Sequence, residues 1–305
     1  RCSLLLLPLL GALTWQQTRI YHDETTLWQD TLRKNPNAWI AYANLGGVLA
    51  KQGRLSEAVR DCEIALELNP NGAETHYNLA SALTGQGKTT EAMEQYREAI
   101  RLKVGYAEAH YNYGLLLANN GRMADAVTEF RAAVSIRPDD AEAYNNLGAA
   151  LAATGDMEGA VENYTKAVAL RPDFADSLYN LGLVLEVTGK LDQATRRYEQ
   201  AIDARPNYID ALIRLSVLLT AQNSPLRNSQ RALELARQAV NLTRSENPLA
   251  FSAMANAYGS AGEYHAAAEA ARRGFELANV QGNAGLAAKL QSQQETYAGL
   301  RDTHR

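Results

Sequence analysis

Five asparagines recur in this chain at a constant spacing of 34 residues. They are Asn44, Asn78, Asn112, Asn146 and Asn180. Asparagine is a mediocre helix former, so helix propensity does not account for the recurrence. A carboxamide carries hydrogen-bond donors and an acceptor, and it can bond a peptide group in two places without contacting the ligand's side chains. This asparagine ladder predicts a surface that holds the backbone of an extended polypeptide, unless its amides bond neighbouring helices within the protein.

Tyrosines directly precede three of these asparagines, at Tyr77, Tyr111 and Tyr179. Tyrosine rings can pack on ligand side chains at a modest cost in conformational entropy. They can equally pack against the adjacent helix, and the spacing fits both roles. The candidate peptide-binding groove therefore consists of the asparagine ladder and these three tyrosines.

A row of acidic residues accompanies the ladder. Its members are Glu74, Glu108, Glu142, Asp176 and Asp210. The row would form a rim that prefers basic or neutral peptides, or it would only stabilise the first turns of helices through their dipoles. His76 and His110 are one repeat apart, and we interpret them as half-buried packing residues rather than metal ligands.

No pattern in the chain predicts catalysis. There is no phosphate-binding loop, nucleophile elbow or pair of carboxylates in the setting that a reaction requires. We therefore predict no catalytic residue, no metal and no cofactor, and we expect that these residues do not form an enzyme.

A repeat of 34 residues must position the ladder. With Trp39 as position 1 of the first unit, apolar residues at positions 4, 7, 8 and 11 have helical spacing. A glycine at position 15, such as Gly53, ends this first helix. A second apolar pattern runs from an alanine at position 20 to position 28, and proline at position 32 stops the second helix. Each unit is a helical hairpin that buries its apolar face by stacking on its neighbours.

We predict an all-α fold, a right-handed α-α superhelix of about seven helical hairpins between a half-repeat and a capping helix. The superhelix spans residues 39–280, the half-repeat 21–38 and the cap 281–305. The hairpins are 39–72, 73–106, 107–140, 141–174, 175–208, 209–247 and 248–280. The sixth hairpin contains an insertion near residue 225, which we expect to be an exposed loop.

The repeat closely resembles the tetratricopeptide repeat family. The fourth unit carries the family's signature residues Tyr144, Leu147, Gly148, Ala160, Tyr164 and Pro172. The resemblance implies a scaffold that binds another protein in a concave groove lined by the first helices. The ladder resembles the one in the repeat domain of O-linked N-acetylglucosamine transferases, where such asparagines hold an extended polypeptide.

An apolar segment, residues 1–20, precedes the repeats. Its stretch from Cys2 to Trp15 is uncharged and is shorter than the roughly 20 residues that span a membrane. Three interpretations remain open: the end of a transmembrane helix that starts before Arg1, the core of a signal peptide, or a buried cap helix. Trp15 and Arg19 resemble an interfacial anchor, which favours a membrane tether.

The stretch from Trp15 to Trp39 resembles the junction in transmembrane O-mannosyltransferases that join a multispan enzyme to tetratricopeptide repeats. The resemblance implies an alternative function, in which the chain is the acceptor-binding part of a multispan membrane glycosyltransferase. The catalytic residues would then lie upstream of Arg1, and the repeats would lie on the non-cytoplasmic side of the membrane. The other expectation is a soluble cytoplasmic protein.

Charge and cysteine content narrow the range of partners. The chain has 30 basic and 34 acidic residues and a net charge of −4, which gives no electrostatic support for nucleic-acid binding. The two cysteines, Cys2 and Cys62, do not suggest a disulfide framework, and Cys62 occupies a core slot of the repeat. The expected partner is a protein or peptide, whose identity the sequence does not predict; nor does it predict the oligomeric state.

Overall fold

The computed structural model describes residues 23–221 and 226–303, which form sixteen helices and no strand. The helices are α1 (Glu24–Lys34), α2 (Trp39–Lys51), α3 (Leu55–Leu68), α4 (Ala73–Gly85), α5 (Thr89–Leu102), α6 (Ala107–Asn119), α7 (Met123–Ile136), α8 (Ala141–Ala153), α9 (Met157–Leu170), α10 (Ala175–Val187), α11 (Leu191–Ala204), α12 (Ile209–Leu218), α13 (Ser229–Leu242), α14 (Pro248–Ser260), α15 (Tyr264–Val280) and α16 (Ala284–Thr303). The chain divides into two compact units, Arg1–Thr154 and Gly155–Arg305.

The first unit contains α1 to α8. Helices α2 and α3, α4 and α5, and α6 and α7 pack as hairpins, and each first helix also contacts the first helix of the next repeat. Helix α1 packs on α2, with its N-terminus capped by the side chain of Asp23. The all-α hairpin repeat predicted from the sequence, an α-α superhelix, is confirmed.

The second unit contains α9 to α16. Helix α9 packs on α10, and α10 and α11, α12 and α13, and α14 and α15 form hairpins. Helix α16 packs along α15 and ends the described chain. Helix α12 ends at Leu218, before the place of the predicted insertion, and residues 222–225 of that insertion lie outside the described residues.

The turn within a hairpin depends on its glycine. In five hairpins this glycine has a φ between +75° and +89°, with Gly155 at the upper end. Residues with a Cβ rarely adopt this conformation, whereas glycine adopts it at little cost. The repeated glycine therefore ends each first helix where the second helix can fold back on it.

Small residues at two positions of each hairpin let its helices approach. The alanine at position 20 is fully buried in five repeats, as at Ala160. At position 8, a Cβ on Gly182 would lie 2.6 Å from a ring carbon of Tyr198, and one on Gly114 would lie 2.8 Å from Phe130. At these positions the glycine makes room for the large side chain of the partner helix.

The predicted apolar segment, residues 1–20, lies outside the described residues, as do residues 15–22 of the stretch that resembles a membrane junction. Among the helices that the structure describes, none has the length and apolar character needed to cross a membrane.

Candidate functional site

Three ladder asparagines donate a hydrogen bond to the preceding repeat. Asn112 Nδ2 lies 2.7 Å from Tyr77 Oη, and Asn146 Nδ2 lies 2.9 Å from Tyr111 Oη. The preceding repeat has Ala43 in place of such a tyrosine, and Asn78 Nδ2 donates to the carbonyl oxygen of Ala43 at 3.1 Å. The bonding between neighbouring helices that the sequence left open is therefore present, and it uses one N–H of each of these amides.

The three candidate tyrosines pack against adjacent helices. The ring of Tyr77 lies 6.0 Å from that of Tyr96 and 5.2 Å from that of Tyr106, measured between centroids. Tyr111 lies 5.9 Å from Phe130 in the same way. In the second unit Tyr179 packs 5.8 Å from Tyr198 and 5.0 Å from Tyr208. These rings thus have the packing role, and the hydroxyls of Tyr77 and Tyr111 lie within hydrogen-bonding distance of ladder asparagines.

The structure brings four of the five predicted asparagines into one unit. Asn44 lies on α2, Asn78 on α4, Asn112 on α6 and Asn146 on α8. All four are half-buried, and Asn44 makes no side-chain hydrogen bond to the described residues. Asn180 belongs to α10 of the second unit, where it is also half-buried.

Three acids of the acidic row are paired with cations at the end of the same repeat. Glu74 Oε1 lies 3.0 Å from Lys103 Nζ, and Asp176 forms two hydrogen bonds of 2.8 and 2.9 Å with Arg205. Glu108 pairs with Arg137 in the corresponding place. The hydrogen bonds from Arg205 lower the pKa of Asp176 below its ordinary value. At these three positions the acids therefore do not present unpaired negative charge.

The two histidines hold the helices of a hairpin together. His76 Nδ1 lies 2.7 Å from Gln95 Oε1, and His110 Nδ1 lies 2.7 Å from Glu129 Oε2. Each contact joins the first helix of a repeat to the second. No group of residues suited to a metal ion occurs in residues 23–221 and 226–303.

A cavity of about 420 Å³ lies at the start of the ladder, between α2 and α4. Its walls include Trp39, Ile40, Asn44, Gly72 and Asn78. Ile40 is 52% exposed, although it is a large apolar residue. The sequence alone does not reveal this cavity, because the cavity depends on which side chains are small where two repeats meet.

Buried tyrosines make the stability of the repeats sensitive to alkali. Burial raises the pKa of Tyr96 from 10.0 to about 12. The unfolded chain loses this proton at lower pH than the folded chain, so the stabilisation is complete below pH 10 and decreases as the pH rises toward 12. We expect the urea midpoint to fall with increasing pH in this window. The urea midpoint of Tyr96→Phe should fall less steeply with pH. A slope equal to that of the wild type would contradict the raised pKa of Tyr96 as the cause.

Four models of repeat families match the chain. Three described as tetratricopeptide repeat match residues 37–103, 77–141 and 175–208, and one described as TPR repeat matches residues 150–186. No curated protein matches the chain.

Solved structures share the fold. YrrB, described as a TPR protein with an unusual peptide-binding site, is 24% identical with a TM-score of 0.55, over 61% of this chain and 95% of its own. A MamA fragment from Desulfovibrio magneticus RS-1 is 23% identical with a TM-score of 0.52, over 56% of this chain and 96% of its own. The Cut9–Hcn1 assembly of APC/C is 16% identical with a TM-score of 0.55, over 76% of this chain and 45% of the matched one.

Proposed function

Because the chain belongs to the tetratricopeptide repeat family, we propose that its first unit is a scaffold that binds an extended polypeptide along the asparagine ladder. The bound segment would cross the first helices of successive repeats, α2, α4, α6 and α8. Each of these helices contributes one carboxamide, from Asn44, Asn78, Asn112 and Asn146. The ladder resembles that of the O-linked N-acetylglucosamine transferases, and YrrB is a repeat protein described as having a peptide-binding site.

The observation that carries the proposal is that the protein itself holds three of these four amides in place, those of Asn78, Asn112 and Asn146. Asn112 and Asn146 each use one N–H to bond a tyrosine hydroxyl of the preceding repeat. A carboxamide has a second N–H and an oxygen with two lone pairs, and these can serve a ligand. Since the side chains are already oriented, binding would cost less conformational entropy than it would with mobile amides.

The chemistry of the ladder favours recognition of backbone over sequence. Its members are uncharged, and acids beside it, such as Glu74 and Glu108, are paired with cations of their own repeat. Amides bond the peptide N–H and C=O groups that every polypeptide presents. Binding should therefore tolerate many sequences and depend only weakly on salt concentration.

The test uses peptides selected from a random decapeptide library on the full chain. Their affinity is then compared between the wild type and an Asn112→Ala/Asn146→Ala variant by fluorescence anisotropy. Each lost hydrogen bond removes about 0.5–1.5 kcal/mol, so the two substitutions should weaken binding by about tenfold or more. Undiminished affinity for every selected peptide, or failure to select any peptide, would overturn the proposal.

A matched control separates the amides from the hydrogen bonds that hold them. Tyr77→Phe/Tyr111→Phe removes the same two intramolecular hydrogen bonds but leaves the carboxamides of Asn112 and Asn146 in place. We expect this variant to weaken binding by less than the asparagine variant does. An equal loss in both variants would mean that the asparagines act only within the fold.

A further inference from the structure

The cavity at the start of the ladder occupies a place that aromatic rings fill elsewhere. In the second repeat, Tyr77 at position 5 packs 5.2 Å from Tyr106 at position 34. In the fifth repeat, Tyr179 and Tyr208 occupy the same two positions at 5.0 Å. In the first repeat these positions hold Ala43 and Gly72, and the cavity lies beside them. The first repeat therefore lacks both rings of the pair that the second and fifth repeats contain.

The missing rings do not reflect a different backbone. Gly72 has φ −76° and ψ 88°, whereas Tyr106 has −85° and 79° and Tyr208 has −80° and 87°. The three residues precede their helices in the same conformation. The backbone at Gly72 thus has the conformation that carries tyrosine in the second and fifth repeats, and the cavity between α2 and α4 lies beside the small side chains of Ala43 and Gly72.

The entrance to the cavity also differs in charge. Other repeats place an acid at position 2 and a cation at position 31, as in the pair Asp176 and Arg205. The first repeat has Ile40 and Asn69 there, and both line the cavity. Trp39 supplies an aromatic wall at a position where the next four repeats have alanine. The first repeat therefore contributes no charge to the entrance, and the charged residues that line the cavity, Glu74 and Lys103 of the next repeat, are paired with each other.

We propose that this cavity receives an aromatic side chain of the polypeptide bound along the ladder, and this inference rests on the proposed function. The ring would take the place of the absent Tyr pair and contact Trp39 and Ile40. Asn44 and Asn78 on the cavity wall can bond a phenolic hydroxyl or the adjacent peptide group. The volume of about 420 Å³ lies within the range of pockets that bind small organic groups.

The decisive variant fills the cavity with tyrosine side chains at the two positions where the second and fifth repeats have them. A Cβ on residue 72 would lie 2.7 Å from Thr75 Oγ1, whereas the residues three places after Tyr106 and Tyr208 are the alanines Ala109 and Ala211. The filled variant is therefore Ala43→Tyr/Gly72→Tyr/Thr75→Ala. Thr75→Ala alone is the matched control, because it leaves the cavity open.

The first measurement uses N-acetyl-L-tyrosinamide as the probe and saturation-transfer NMR as the readout on the full chain. The wild type and Thr75→Ala should bind the probe, and the filled variant should bind it about fivefold more weakly or not at all. Equal binding by the filled variant would overturn the inference, as would equal binding of N-acetyl-L-leucinamide by the wild type. Circular dichroism checks that each variant is folded.

A second variant changes the entrance of the cavity and leaves Ala43 and Gly72 unchanged. Ile40→Glu/Asn69→Arg places across the entrance the ion pair that other repeats have, on exposed or half-buried positions. It should also weaken binding of the probe, since the apolar contact of Ile40 is lost. This variant keeps the inference testable if the filled variant does not fold. Unchanged binding would contradict the role of the entrance.

Selected decapeptides distinguish this inference from the proposed function. Peptides from the wild type should share an aromatic residue, and those from the filled variant should not. If the wild-type peptides need Asn112 and Asn146 but share no aromatic residue, the ladder binds polypeptide and the aromatic pocket is refuted. If no peptide depends on the ladder, the proposed function fails as well.

Discussion

Replacing Tyr198 with alanine should destabilise the second unit by about 3–5 kcal/mol, the loss typical of a buried aromatic side chain. The side chain of Tyr198 is completely buried, and its ring lies against Gly182 across the hairpin. Its ring centroid is 5.8 Å from that of Tyr179, and its hydroxyl donates to Glu186 Oε2 at 2.6 Å. Because Gly182 has no side chain that could move into the space, the cavity would persist and the loss should be near the upper limit.

Tyr198→Phe is the matched control for this prediction. It keeps the ring and removes only the hydrogen bond to Glu186, so we expect a loss of about 1 kcal/mol. The measurement is urea unfolding followed by circular dichroism. If Tyr198→Ala were no less stable than Tyr198→Phe, packing of the Tyr198 ring would not be what stabilises the contact between α10 and α11.

Replacing Gly46 with alanine should also lower the stability of the protein strongly, and a second substitution should reverse this loss. A Cβ on Gly46 would lie 2.4 Å from Cys62 Sγ and 3.2 Å from the carbonyl oxygen of Ala58. Such overpacking costs about 1–3 kcal/mol in a closely packed core. Cys62 is fully buried, and burial raises the pKa of its thiol to about 12, so it acts as an apolar core side chain. Removing its sulfur should make room for the new methyl group.

We therefore expect Gly46→Ala/Cys62→Ala to be more stable than the sum of the two single changes implies. A double-mutant cycle of urea unfolding measures this coupling, which should be about 1 kcal/mol or more. Gly285→Ala is the control, because a Cβ there meets no atom within 4 Å. Additive effects at positions 46 and 62 would show that the short contact is relieved by movement of the helices.

The 34-residue period made the helical hairpins predictable, because the residues that end and pack the helices recur with it. Gly155 illustrates this, since its position in the repeat predicts the turn and its positive φ is what a glycine permits. The asparagine ladder was predictable as a row of residues for the same reason. The sequence does not predict whether its amides bond a ligand or a neighbouring helix, because the bonding depends on the distances between helices.

Two features of the site had signals in the sequence that were not recognised. The cations Lys103, Arg137 and Arg205 recur with the same period as the acids they bond, but their contact spans 29 residues and needs a closed hairpin. The cavity corresponds to Ala43 and Gly72, which break a pattern of tyrosines. Knowing that positions 5 and 34 meet in space would have turned that break into a prediction.

The contacts of each helix with its near neighbours along the chain have a kinetic consequence. The extensive contacts of both units join helices that are one or two places apart, as α2 joins α3 and α4. Native contacts of short sequence separation need only short loops to close, and proteins rich in them fold rapidly. A hairpin in either unit can serve as the starting point, from which order spreads to the adjacent hairpins. A nascent chain could therefore begin to fold its first repeats before the last ones leave the ribosome.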